Sequence, residues 1–265
     1  MTPLCLSSTS SSFFTSKFLN LNLIPPLPRR LHFKPHLTPQ TLSFSSLALR
    51  LSSPSGAGGR AFLSAASAIP IEDLVERDWS FLDSDPSSSG DDRAKKALRI
   101  ITAAEISASS KVLIVMPTVG FVDRLVESSP CDLLVAVHES LFVLAMIKEG
   151  HDRVRCWQGD VTVVPEKFTP FDVVFVCYFP GMGVSITQLL SSLAPRCSPG
   201  ARVVICFDQG RQIVEQNHRQ QYPDMVTTDL PDKAVLEKAA ADNLYEITEF
   251  IDEPTIYLTV LRFCK

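Results

Sequence analysis

Few reactive side chains in this sequence stand where chemistry could be done. His138 and Glu139 follow the apolar run Leu133–Val137, and Gly159-Asp160-Val161 follows Val154–Trp157. Cys177 and Tyr178 close the run that begins at Asp172, and Asp208 follows Ala201–Phe207. Gly120 ends the stretch Met116-Pro117-Thr118-Val119-Gly120. Each therefore marks the end of an apolar run. Carboxylates there accept hydrogen bonds, a neutral imidazole can donate or accept one, and a glycine allows close backbone approach. Such groups hold a ligand more readily than they attack one. Other chemistries lack their parts: no Ser/His/Asp order, P-loop or metal motif occurs. The seven cysteines (Cys5, Cys131, Cys156, Cys177, Cys197, Cys206 and Cys264) show neither C-x-x-C nor metal-ligand spacing. They read as small buried thiols in a reducing compartment, and no metal is expected.

Every one of these positions also has a structural reading. Gly120 can be a helix-start glycine. Glu139 can be a first-turn acid facing a helix dipole, and Asp160 a helix N-cap. Tyr178 can simply end a strand, and His138 can be a structural residue of one. His151 and His218 have polar neighbours and read as surface residues, and Arg219, Gln220 and Gln221 as a solvated helix face.

The elements that would position these residues alternate. Arg93–Ile106 has apolar residues at helical spacing. Lys111–Met116, Asp132–His138, Val154–Trp157, Asp172–Tyr178 and Ala201–Phe207 read as five strands. Between them Phe121–Glu127, Ser140–Glu149 and Ile186–Leu193 read as helices, with Ser140 a natural N-cap, Gly150 a stop and Pro199-Gly200 a turn. Such alternation predicts βαβ units and a parallel sheet with helices on both faces. After a helix over 232–243, the runs Tyr245–Ile251 and Thr255–Phe263 are joined by so short a turn that they must form an antiparallel hairpin. The expected fold is α/β: a Rossmann-like three-layer sandwich with a mostly parallel seven-stranded sheet ending in an antiparallel hairpin.

Charge divides the chain. Residues 1–68 contain no Asp or Glu, six basic residues, 14 serines and 7 of the 19 prolines. The rest of the chain holds 19 Lys and Arg against 29 Asp and Glu, a net of −10. A Ser-rich, Arg-bearing, acid-free leader has the composition of a transit peptide, and Pro25, Pro26 and Pro28 break the amphipathic helix that a mitochondrial leader would want. The same composition would also suit a disordered tail. The expectation is a chloroplast transit peptide over 1–68, cleaved near 60–68, and a stromal location. A linker with a short core-packing segment (Trp79, Phe81) is expected over 69–92 and the functional domain over 93–265. At 45% hydrophobic and 20% charged, the chain has a globular balance. This excludes a disulfide-stapled mini-protein, a collagen-like chain and a polytopic membrane protein, and no run is long enough to span a bilayer. A nucleic-acid partner is disfavoured, because the acidic body repels phosphate.

From about Arg93 onward the sequence resembles the class I S-adenosylmethionine-dependent methyltransferases. The resemblance is carried by Val135-Ala136-Val137-His138-Glu139-Ser140 with Leu144-Ala145, by Gly159-Asp160, by Phe171-Asp172-Val173-Val174, and by Ser198-Pro199-Gly200-Ala201. It implies S-adenosylmethionine as cofactor, lying across the carboxyl ends of the first four strands, where open α/β sheets bind ligands. By the same resemblance Gly120 is the last glycine of the family's Gly-x-Gly-x-Gly loop. His138 stands at the ribose-binding acid position with Glu139 beside it, and Asp160 takes the adenine amine, with Val161 supplying a backbone amide. Cys177 and Tyr178 begin the loop that faces the transferred methyl, and Asp208 begins the other loop near the substrate. Tyr178 and Asp208 are thus the catalytic candidates.

The sequence departs from the pattern in its glycine loop, where Met116, Pro117 and Thr118 replace what the cofactor's methionine end requires, and at Ile114, where an acid is usual. Two functions are open to such a chain. One is a chloroplast methyltransferase acting on a protein side chain or a small metabolite. The other is an inactive methyltransferase fold serving as an assembly factor or scaffold in a plastid protein complex. A nicotinamide oxidoreductase would need G-x-G-x-x-G after the first strand, which is absent.

Overall fold

Continuous apolar runs bounded by polar turns become strands buried on both faces, and the apolar-faced helices between them cover those faces. A computed structural model describes residues 76–83 and 90–265. The expected leader, its cleavage site and most of the segment 69–92 lie outside the described residues. The sheet has seven strands: β1 (Lys111–Val115), β2 (Leu133–His138), β3 (Arg155–Gln158), β4 (Phe171–Val176), β5 (Cys197–Phe207), β6 (Tyr245–Glu253) and β7 (Ile256–Phe263). Their order is β3-β2-β1-β4-β5-β7-β6. The first five are parallel, and β7 lies antiparallel between β5 and its hairpin partner β6. This is the expected Rossmann-like fold, closing hairpin included.

Among the described residues, α1 (Gly90–Ala103), α2 (Val119–Ser128), α3 (Leu141–Gly150), α4 (Ile186–Leu193) and α5 (Lys233–Asp242) are the α-helices of eight residues or more. Their starts are written in the sequence. The Ser140 hydroxyl accepts from the Val143 amide, Asp232 from Val235 and Thr118 from Phe121. Ser185 and Gln188 form a reciprocal capping box at α4. Two core clusters lie on the two faces of the sheet. One gathers Leu113, Val135, Val174, Val203 and Leu261 with Trp79, Phe81 and Leu82; the other holds Val112, Ile114, Ala136, Phe175, Val204 and Leu258. Successive apolar residues of β1, β2 and β4 thus alternate between the clusters, as the pleat requires.

Three readings need correction. α1 includes Gly90, inside the expected linker. Pro199-Gly200 is not a turn before β5; both residues lie within it. β5 carries extra residues there, since Phe171 pairs with Cys197 but Val173 with Arg202, and Gly200 takes the left-handed conformation of a bulge at φ +77°. His218 is not a surface residue. Arg211–Ile213, Val214–His218 and Arg219–Gln221 run on as one helical stretch with a π turn in the middle, and His218 is buried. The six described cysteines are free, with Cys197 and Cys206 buried, Cys131, Cys156 and Cys177 partly so, and Cys264 exposed. Among the described residues no helix is long and apolar enough to cross a membrane.

Candidate functional site

Parallel pairing brings the carboxyl ends of β1, β2, β3 and β4 to one edge of the sheet. Hydrogen bonds continue the ladder just past the strands, from the Met116 amide to the Val137 carbonyl, from Cys177 to Val115 and from Gly159 to His138. Met116 is buried and holds a left-handed φ of +54°, a conformation that favours glycine. The chain therefore makes the backbone turn of a glycine loop with a methionine, and that side chain packs into the core with Trp79 and Tyr178.

His138 ends β2 with 1% of its surface exposed. The Ser140 amide donates to its Nδ1 at 2.9 Å. A neutral ring so bonded carries its proton on Nε2, and Nε2 is buried without a hydrogen-bond partner. Burial pushes the His138 pKa down to about 4, the Glu76 carboxylate opposing it. His138 is thus a neutral donor aimed at nothing polar. Such an orphan is costly in a protein interior.

The segment 76–83 covers this place. Trp79 is 3% exposed, and its indole N–H donates to the Glu139 carboxylate at 3.0 Å. Arg77 reaches the same carboxylate oxygen at 3.5 Å. The Trp79 ring meets His138 edge to face at 5.5 Å between centroids and Tyr178 at 6.2 Å. Gly181 admits it: a Cβ there would lie 2.7 Å from Trp79 Cη2. Phe81 stacks on Tyr222 at 4.2 Å and meets His218 at 4.8 Å. At one end of the segment, Glu76 accepts from the Ser140 hydroxyl and the Phe142 amide. Partial burial raises the Glu76 pKa, but these bonds outweigh it and hold the carboxyl below its usual value. At the other end, Arg93 donates to the carbonyls of Leu82 and Asp83 while its Nε bonds Asp208 at 2.7 Å. Lys96 binds the Asp208 carbonyl at 2.9 Å.

Behind Trp79, the Tyr178 hydroxyl lies 3.0 Å from Nδ1 of buried His218. Burial raises the Tyr178 pKa well above 10, the Arg219 charge opposing it, and lowers that of His218 to about 4. Both rings are neutral near pH 7. The pair is a structural hydrogen bond rather than a poised base.

The other expected residues lie around this cluster or away from it. Asp160 is exposed and caps a short 3-10 turn, accepting from the Thr162 amide at 2.7 Å and from the Thr162 hydroxyl. The side chain of Val161 is buried in the core. The Cys177 thiol is pushed up by burial, with Cys206 beside it. Gly120 lies in the first turn of α2 with open space where a Cβ would go, so nothing there demands glycine. It lines a cavity of about 200 Å³ with Asp83, Arg93, Thr118, Arg124 and Asp208. Asp208, bonded to Arg93 and facing that cavity, is anchored as a clamp. The structure thus brings His138 and Glu139 together under one indole and leaves Asp160, Gly120 and Asp208 apart from it. Sequence reasoning missed Trp79 as the group on Glu139, and missed His218 and Arg93. The aromatic pair Trp79 and Phe81 in a polar stretch was the one signal that could have found the first.

Two further spaces flank this arrangement. A cavity of only about 30 Å³ remains at the ends of β1, β4 and β5, lined by Leu82, Met116, Cys177, Tyr178, Cys206 and Asp208. One of about 360 Å³ lies between the segment and α3, lined by Glu76, Trp79, Val119, Ser140, Phe142 and Met146; neither His138 nor Glu139 lines it.

No protein-family model matches the sequence, and no curated protein does. Solved structures do resemble it. A chain from the complex of the Haloferax volcanii Trm112 methyltransferase activator with a candidate methyltransferase superposes with a TM-score of 0.55 at 14% identity, over 66% of this chain and 92% of that one. An S-adenosylmethionine-dependent methyltransferase from Mesorhizobium loti gives 0.52 at 11% identity, over 68% and 99%. With its sheet order and antiparallel β7, the chain has the fold of the class I S-adenosylmethionine-dependent methyltransferases.

Among the described residues the groups fit that cofactor's adenosine end in kind. The Glu139 carboxylate can accept from the hydroxyls of a vicinal diol, and the orphaned His138 Nε2–H can donate to one of them. Trp79 covers His138 and takes one oxygen of Glu139, whose side chain is 35% exposed.

Proposed function

We propose that the protein is a chloroplast methyltransferase that binds S-adenosylmethionine at the carboxyl ends of β1, β2 and β4. The observation that carries this reading is that the Glu139 carboxylate and the His138 ring, with its unpartnered Nε2–H, both meet Trp79 at the end of β2, at the edge where open α/β sheets bind ligands. Glu139 would accept from the ribose hydroxyls, and His138 would donate to one of them. Asp160, with one carboxylate oxygen committed to its own turn, would offer the other to the adenine amine. When bound, the cofactor supplies an electrophilic methyl group on a sulfonium. The residues here need only orient the acceptor against it and exclude water, because alignment provides most of the rate of such a transfer. The neutral Tyr178–His218 pair is suited to positioning and not to removing a proton. The acceptor is a protein side chain or a small metabolite, and the acidic body disfavours RNA.

A second reading, an inactive fold acting as a plastid scaffold, is favoured by one observation: Met116 stands in the place of a loop glycine, with a left-handed φ and its side chain buried in the core. Calorimetric titration of the full chain with S-adenosylhomocysteine separates the two. Micromolar affinity, about −8 kcal/mol, supports the first reading, with Glu139→Gln weakening it by about 1–3 kcal/mol. No heat up to millimolar ligand supports the second. The location is tested by the N-terminus of protein purified from leaf, expected near residue 61–69; an intact Met1 would contradict it.

A further inference from the structure

We infer that the segment Glu76–Asp83 is a built-in strap that competes with the adenosine-type ligand for the end of β2, so that the ligand binds only as the strap leaves. The inference rests on the cofactor reading and adds a regulatory step to it.

Three observations carry it. First, the strap uses the recognition groups themselves. The Trp79 indole N–H and the Arg77 guanidinium both take Glu139 Oε1, and the Trp79 ring lies against His138. A ribose hydroxyl donating to Glu139 would seek the same carboxylate. Second, the strap fills the place beside His138. Trp79, Phe81 and Leu82 are buried; the cavity of about 30 Å³ that Leu82 lines at the ends of β1, β4 and β5 holds about one water, and neither it nor the cavity of about 360 Å³ that Trp79 lines is lined by His138 or Glu139. Third, the strap's seat has features that the rest of the fold does not need. Gly181 lacks the side chain that would strike the indole. Arg93 ties the Leu82 and Asp83 carbonyls to Asp208, and Glu76 is bonded at the start of α3. The strap is thus pinned at both ends by polar contacts near solvent, with an aromatic plug between them. A partner or an ionic change acting on Arg93–Asp208 or Arg77–Glu139 could loosen it without disturbing the sheet.

One side of the pocket is therefore under self-imposed competition. Its orphaned Nε2–H is consistent with this, because Trp79 covers His138 while offering that nitrogen no acceptor oxygen or nitrogen. A ligand hydroxyl would supply one.

The test compares three full-length chains, wild type, Trp79→Ala and Arg93→Gln, by calorimetric titration with S-adenosylhomocysteine, after circular dichroism has shown each to be folded. Arg93→Gln leaves the end of β2 untouched and decides alone if Trp79→Ala fails to fold. Binding by the variants at least tenfold tighter than by wild type is the expected result. Equal affinities would overturn the strap and leave the cofactor reading standing. Weaker binding by the variants would make the segment part of the binding surface and would also overturn the competition. No binding by any of the folded chains would overturn the cofactor reading itself, and the competition with it.

Discussion

Two buried histidines bracket the aromatic cluster at the strand ends, His138 against Trp79 and His218 against Tyr178 and Phe81. Burial holds both near pKa 4, against about 6.5 in an unfolded chain. Between those values the unfolded chain binds more protons than the folded one. The stability tied to the neutral rings is therefore complete above pH 6.5 and is lost as pH falls toward 4. Thermal melts should show the melting temperature dropping steadily over that window; a flat profile from pH 6.5 to 4.5 would contradict two neutral buried rings. Part of this site could be read from the residues. His138 and Glu139 stand at the end of an apolar run, and that position alone marks them. His218 could not be read, because Glu215-Gln216-Asn217 before it and Arg219-Gln220-Gln221 after it are polar, and only the π turn carries its ring inward. Nor could the bond between Trp79 and Glu139, made across sixty residues, because a local pattern says that a segment is apolar but not where it lands.

At the scale of elements, the strand–helix alternation and the hairpin were legible because period and length decide them. Helix Ile186–Leu193 has the expected ends, since its cap and its apolar spacing agree. Misreadings arose where backbone conformation overrides residue type. Pro199-Gly200 has turn composition, yet lies inside β5 because the bulge uses its positive φ. Gly210, just past β5, has a stricter role. Its φ is +79°, and a Cβ there would sit 2.4 Å from the Pro254 carbonyl oxygen in the β6–β7 turn. The hairpin is thus docked against a glycine on another loop, backbone to backbone. Gly210→Ala should destabilise the chain by about 2 kcal/mol or more, from left-handed strain together with the clash. Urea unfolding checks this, and a change below about 0.5 kcal/mol would show that the hairpin turn is free to move aside.

For the whole molecule, the sheet order and the reversed β7 define the methyltransferase fold, while the chain's own residues 76–83 lie across the edge that this fold uses for its ligand. Fold alone does not fix function, so the proposed activity turns on whether that edge opens. The chain has two tryptophans. In a Trp157→Phe background Trp79 is the only one, and it is buried beneath the strap's own contacts. The most direct measurement is its emission spectrum during titration with S-adenosylhomocysteine. A strap that must leave for the ligand to bind predicts a shift to longer wavelength, from a buried to a solvated indole, that saturates with the calorimetric isotherm. Saturable binding with the Trp79 emission unmoved would contradict it, because the ligand would then be held while the strap stays in place.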